Sequence, residues 1–525
     1  MHIDFPKTLN TTNLCSKGYS IRKNELSILQ LNKIKADLTV KPYVQGSPMG
    51  PLKTFAAYRE SHKKVYVPHY YGTEMFDAPK DIKISLGVNI RLNFNGSLRE
   101  NQVVVVNKYL EHVTRNEYGG GLLELPCAYG KTVLALNIIS QLQKKTLVIV
   151  HKEFLMNQWI ERIEQFLPGA KIGKIQGQKV DIEGKDIVLG MLQSLSMKEY
   201  PSDMFDSFGL TIIDEVHHIS SEVFSNALFK IVTKNMLGLS ATMNRKDGTT
   251  NVIKMFLGDV IFKGKRDEER LVQVRGVQYI TNDDEFNSTA MDYRGNAAYS
   301  TMISKLCEYN RRSEFILKIV VDLLEENAKQ QIMILAHNKN LLKYLYDAIE
   351  FRKIATVGYY VGGMKEKALK ETESKNIVIA TYAMASEALD IKTLTTLVMA
   401  TPKTDIEQSV GRILREKHSN PIVVDIIDSH EIFQKQWNKR KKFYKKENYN
   451  VIFNTNLTYD KNIESWKKVM SKCQKSCRKN PQKIQMLSHK NKSFSDRSVT
   501  TDSESDTDDV ESNNNLEGQC FLKIK

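Results

Sequence analysis

Twice along this chain, short apolar runs rich in β-branched residues alternate with helical stretches of about 10–20 residues. No other feature restricts the possible folds so strongly. The first series comprises GGLLEL ending at Leu125, TLVIVH (146–151), DIVLGM (186–191), LTIID (210–214) and MLGLS (236–240). A more polar stretch, 265–305, interrupts the rhythm. It resumes with QIMILAH (331–337), KIATVGYY (353–360), NIVIAT (376–381), TLVMATP (396–402) and PIVVDIID (421–428). Near-continuous apolar strands spaced by helices bury both faces of a parallel sheet. The expected architecture is α/β, with two tandem parallel-sheet domains, one from Leu98 to about 265 and one over 306–428. Residues 1–97 read as a small accessory domain in which KVYVPHYYG (64–72) forms a strand and loop, and 266–305 reads as a linker.

Charge divides the C-terminal part again. Residues 429–492 hold 17 basic and 4 acidic side chains, whereas 493–517 hold 1 basic and 8 acidic. The first segment reads as a basic extension. Its Trp437, Phe443, Tyr444 and Tyr449 offer either a stacking and phosphate-binding surface or the inner face of a helix on the second domain. The second segment has too little apolar material to fold and reads as a disordered acidic tail. A formal net charge of +15 suits a polyanionic partner. No apolar run approaches the ~18–20 residues that span a bilayer, so no membrane partner is expected. The N-terminus lacks a signal-peptide layout, and six scattered cysteines make no disulfide framework. Both point to an intracellular, reducing compartment.

Three segments carry recognisable chemistry. LPCAYGKT (125–132) follows an apolar strand and opens a helix. Backbone N–H groups of such a loop, here Ala128, Tyr129 and Gly130, cradle phosphate oxygens. Lys131 then meets the β- and γ-phosphates of a nucleotide, and the Thr132 hydroxyl ligates Mg²⁺. LTIIDEVHHI (210–219) ends a buried strand in two acids. Asp214 is placed to hold Mg²⁺ and Glu215 to orient and deprotonate a water. His217 reads as a hydrogen-bonding link to the other domain. TPKTDIEQSVGRILRE (401–416) sets Arg412 and Arg415 on one helical face, suited to charge developing on a γ-phosphate, with Gln408 and Gly411 allowing close approach.

Taken together, these segments resemble the superfamily 2 DExH helicases over Leu98 to about Asp428. LRENQ (98–102) is similar to that superfamily's adenine-reading motif, with Gln102 as reader. VIVHKEFLMNQW (148–159), MLQSL (191–195), Ser240-Ala241-Thr242 and IVIATYAMASEALDI (377–391) resemble further motifs in the expected order. The details resemble the XPB and UvsW-like group and the transcript-release helicases of poxviruses and other large DNA viruses. The resemblance implies two RecA-like lobes that close on ATP and Mg²⁺, with Asp390 also at the nucleotide. It implies strand contacts from Lys152, Gln193 and Thr381, and coupling through Ser240, Thr242 and His217. DNA or RNA is the implied partner, the transcription machinery a further one, and a viral replication site or virion the implied location. Two residues depart from the pattern: Ala128 and Ala388 stand where glycine is usual. They motivate a second reading, a catalytically weakened ATP-dependent clamp without turnover. Deleting residues 493–525 is expected to leave nucleic-acid-stimulated phosphate release intact, and a collapse of that rate would show the tail to be misread.

Overall fold

The computed structural model describes residues 9–42, 54–115, 118–126, 129–219, 221–243, 248–264, 272–387, 391–414 and 420–470. Ala128, Ala388, Asp390, Arg415 and the acidic tail lie outside the described residues.

The N-terminal unit comprises β1 (Asn13–Cys15), β2 (Gly18–Arg22), α1 (Ile28–Asp37), β3 (Thr39–Val40), β4 (Phe55–Ala56), β5 (Arg59–Glu60), β6 (Lys64–Val67), α2 (His69–Phe76) and β7 (Asp81–Ile82). Its main sheet has the order β5-β6-β2-β1-β7. The strand expected in KVYVPHYYG is β6. Its second half differs from the expected loop: Pro68 precedes the first turn of α2, whose Tyr71 and Phe76 face the unit's own core. Proline's fixed φ suits a helix start, and the buried aromatic pair holds the turn once formed. Arg59 ties this unit to the next by donating to the Asn226 carbonyl at 3.3 Å and lying over the Phe229 ring.

The first lobe runs α3 (Glu100–Thr114), β8 (Gly119–Glu124), α4 (Lys131–Leu142), β9 (Thr146–Val150), α5 (Glu153–Phe166), β10 (Ile172–Gln176), β11 (Lys179–Asp181), β12 (Ile187–Met191), α6 (Leu192–Met197), β13 (Leu210–Ile213), α7 (Ser221–Leu228), β14 (Asn235–Ser240), α8 (Thr250–Leu257) and β15 (Val260–Lys263). The strand order is β11-β10-β12-β9-β13-β14-β8-β15, parallel except at the β11 edge. Alternate residues fill opposite faces. Val148, Leu189, Ile212 and Leu237 pack under α3, α4 and α5, while Leu147, Val188 and Ile213 pack under α6, α7 and α8. Every expected apolar run of this lobe is a strand of that sheet.

The second lobe runs β16 (Gln273–Tyr279), α9 (Asp284–Asn287), α10 (Tyr299–Glu308), α11 (Asn310–Glu326), β17 (Gln331–Ala336), α12 (Lys339–Phe351), β18 (Val357–Tyr360), α13 (Glu366–Glu373), β19 (Ile377–Thr381), α14 (Tyr382–Glu387), β20 (Leu394–Met399), α15 (Glu407–Arg412), β21 (Ile422–Asp428), α16 (Glu431–Lys446), β22 (Asn450–Thr455) and β23 (Lys467–Met470). Its strand order is β18-β19-β17-β20-β21-β16-β22-β23. Two expected boundaries are corrected here. Within the supposed linker, β16 lies between β21 and β22 and pairs in parallel with both, and α10 contributes Met302 and Leu306 to the core. The described part of the basic extension completes the same lobe. Trp437, Tyr444 and Tyr449 are buried and Phe443 packs against the same cluster, so these rings do not form an exposed stacking surface. The lobe therefore reaches from 272 to at least 470.

β21 is pinned on both faces by buried ion pairs. On one, the Arg312 guanidinium of α11 forks onto Asp428 at 2.6 and 2.8 Å. On the other, Arg440 of α16 forks onto Asp425 at 2.7 and 2.9 Å and also donates to the Lys403 carbonyl. Arg312 and Asp428 side chains are both 0% exposed. Removing one partner strands a buried charge, which typically costs about 3–5 kcal/mol. Arg312→Ala is therefore expected to move the urea midpoint of the lobe carrying Trp437 and Trp466 sharply downward. A shift equivalent to less than ~1 kcal/mol would contradict that role.

Candidate active site

Ligands of open α/β sheets bind beyond the carboxyl ends of the strands. In the first lobe β13, β14 and β8 are neighbours, and each ends in a segment that the sequence singled out. β8 leads through the loop at 125–130 into α4, β13 into Asp214 and Glu215, and β14 terminates at Ser240. Residues more than a hundred positions apart thus meet along one sheet edge.

The Tyr129–Gly130 end of this loop is held from behind. Gly130 has φ +88°, and a Cβ there would lie 2.5 Å from Nε2 of Gln102, so the position admits only glycine without rearrangement. Gln102 is buried. Its Nε2 donates to the Tyr129 carbonyl at 2.8 Å, and its Oε1 accepts from the Arg99 backbone N–H at 3.0 Å. The Arg99 guanidinium donates to the same Tyr129 carbonyl at 2.6 Å. Lys131 and Thr132 follow in the first turn of α4.

The acids face this loop. Lys131 Nζ sits 2.8 Å from Glu215 Oε1, in the position that phosphate oxygens would contest. Glu215 adopts φ +49°, ψ +49°, a left-handed conformation that costs a non-glycine residue about 1–2 kcal/mol. Strain of that kind concentrates at functional sites. Asp214 is buried, with Oδ1 accepting the Glu215 backbone N–H and Oδ2 accepting the Trp159 indole N–H, each at 2.9 Å. Burial, and next the Glu215 charge, push its carboxyl up to about 6, against the lowering by Lys131 and the indole.

His217 joins this edge to the second lobe. Ser240 Oγ donates to the Thr242 carbonyl and so accepts from His217 Nδ1, 2.9 Å away. Glu215 Oε2 lies 3.3 Å from the same nitrogen. The ring proton therefore sits on Nδ1, leaving Nε2 to accept from the Gln408 amide nitrogen at 3.0 Å. Arg412 lies one turn after Gln408 on α15 and shares its face. A second junction is made by α5: Phe154 packs against the cores of both lobes. Asn157 donates to Glu366 at 3.2 Å, and Lys370 pairs with Glu161 at 2.8 Å.

The expected strand-binding residues occupy other strand ends. Lys152 precedes α5 after β9, its ammonium held below the usual lysine range by burial. Gln193 follows the adjacent β12 and donates to the His151 carbonyl at 3.4 Å. Thr381 ends β19 in the second lobe, where its hydroxyl accepts the Met384 N–H at 3.4 Å. Sequence reasoning gave no individual role to Arg99 or Trp159, although both stand inside motifs it had picked out. A buried indole aimed at an acid has no local signature, since the two residues are 55 positions apart.

Residues 95–245 match the family model described as Type III restriction enzyme, res subunit. A protein of Acanthamoeba polyphaga mimivirus is 34% identical over 457 residues, covering 84% of this chain and 86% of that protein. One from African swine fever virus is 29% identical over 374 residues, covering 66% and 72% respectively. Both bear the name "Putative ATP-dependent RNA helicase". The crystal structure of T4 UvsW aligns with 85% of this chain and 99% of that one, at 17% identity and a TM-score of 0.32. The chain belongs to the superfamily 2 ATP-dependent helicases, in the family of these viral proteins. Because Gln102 supports Tyr129, Gln102→Ala is expected to raise the KM for ATP about tenfold, ~1.4 kcal/mol, with kcat within about twofold. A kcat loss at unchanged KM would contradict it.

Proposed function

We propose that this helicase couples ATP hydrolysis between its two lobes to movement along, or unwinding of, a nucleic-acid strand. The observation that carries the reading is the His217 ring, bonded on one side to the phosphate-site strand end and on the other to Gln408 of the opposite lobe. An ATP in the cleft would draw Lys131 from Glu215 onto its phosphates. Glu215, freed of that partner, would orient and deprotonate the attacking water. Gln102 would read the adenine. Arg412, joined by Arg415, would meet the γ-phosphate as charge develops, with Asp390 alongside. Asp214 and the Thr132 hydroxyl are hard oxygen donors, and a buried carboxylate already crowded by a second acid suits Mg²⁺. When bound, Mg²⁺ neutralises charge on the β- and γ-phosphates.

Lys152, Gln193 and Thr381 would hold the strand, mainly through its phosphates, which predicts little base preference. Ser240, Thr242 and His217 would pass lobe position to the acids. DNA and RNA are both candidate strands, and equal lengths of each, single and double, would separate them by ATPase stimulation. The resemblance to transcript-release helicases makes the transcription machinery the first partner to test.

Two substitutions test the assignment. Lys131→Ala should abolish phosphate release. Glu215→Gln should lower it by about 10²–10⁴-fold while nucleotide binding persists. Near-normal turnover in either variant would place the chemistry elsewhere.

A further inference from the structure

Helix α5 has two functional faces. On one side Trp159, 1% exposed and locked in the core of the first lobe, points its N–H at Asp214 Oδ2. An indole nitrogen only donates, so the direction of this bond is unambiguous. Together with the Glu215 backbone N–H on Oδ1, it places one donor on each carboxylate oxygen and fixes the plane of the group. Each oxygen keeps further acceptor capacity beyond these bonds. On the other side Phe154, Asn157 and Glu161, spaced i, i+3 and i+7, form one stripe. That stripe touches the second lobe through its core, Glu366 and Lys370. At 3.6 residues per turn Trp159 lies roughly 160° around the helix from the stripe.

We propose that Trp159 is a positioning residue for the Asp214 carboxylate, and that α5 links the set of that carboxylate to the docking of the second lobe. This rests on the reading of Asp214 as a Mg²⁺ ligand. A helix is stiff over a few turns. A turn or slide of α5 that improves the stripe's fit to α13 also moves the indole, and with it the carboxylate plane. The helix side contacts of Asn157 and Glu161 are exposed and weak singly. They are suited to forming and parting as the lobes close and open. The indole bond is buried and persists through the cycle.

The test measures binding of a fluorescent ATP analogue to the full chain across a Mg²⁺ titration, and again in excess EDTA. Trp159→Phe keeps a ring in the core and deletes the donor. It is expected to raise the Mg²⁺ concentration for half-maximal binding about tenfold, with metal-free binding and melting temperature near those of the parent. The parent's Mg²⁺ requirement in that variant would overturn the positioning role. Glu161→Lys, on the far face of α5, should shift the Mg²⁺ requirement in the same direction by about threefold. Adding Lys370→Glu should restore it. This pair tests the link even if the core substitution impairs folding. No shift in Glu161→Lys, or no recovery in the double reversal, would overturn the transmission. Binding of the analogue to the parent that is indifferent to Mg²⁺ would instead refute Asp214 as a ligand, a separate result.

Discussion

The imidazole of His217 holds one hydrogen bond toward the strand end beside the phosphate loop and another toward the second lobe. The coupling proposed between the two lobes depends on that small bridge. Each lobe has its own buried sheet and its own hydrophobic core. Among the described residues, the contacts that cross between them include an amide–imidazole bond, an exposed ion pair, an exposed amide–carboxylate contact and one partly buried phenyl ring. A net hydrogen bond contributes about 0.5–1.5 kcal/mol and an exposed ion pair about 0–1 kcal/mol. Contacts of that size are made and broken readily, which suits the opening and closing proposed for the cleft.

Inside the lobes the opposite regime holds. Arg312–Asp428 and Arg440–Asp425 are fully buried, forked and placed on both faces of β21. They fasten α11 and α16 to the strand that precedes α16 and follows the Gln408 and Arg412 segment. The helix α15, which carries Gln408, precedes that pinned strand in the chain. In the candidate site, backbone strain falls on the left-handed Glu215. There a backbone that would relax elsewhere keeps its carboxylate between Lys131 and His217.

Much of this was legible in the sequence because the lobes are built from parallel strands buried on both faces. Such strands read as continuous apolar runs, and all ten of the runs picked out contain a strand. β16 escaped because VQVRGVQYI interleaves polar residues, among them a buried Arg275 whose charge is met by Glu326 at the end of α11, 51 residues away. Its place in the sheet depends on pairing with β21, nearly 150 residues away, which no local pattern reports. The aromatic residues of α16 were open to two readings, and burial of Trp437 and Tyr444 decides for packing. In the site, short-range chemistry was legible: Gly130, Lys131, Asp214 and Glu215 announce themselves by residue type and position after a strand. The grip of Arg99 and Gln102 on Tyr129, and that of Trp159 on Asp214, depend on how separate helices pack against the sheet edge.

The proposed coupling of the two lobes requires that His217 and Gln408 act as one unit across the cleft. A double-mutant cycle on nucleic-acid-stimulated ATP turnover, using His217→Ala, Gln408→Ala and the combination, measures this directly. Either single change is expected to lower stimulated turnover, and the double variant to be scarcely worse than the more impaired single. Independent effects that simply multiply in the double variant would contradict it, because the two side chains would then be serving separate purposes.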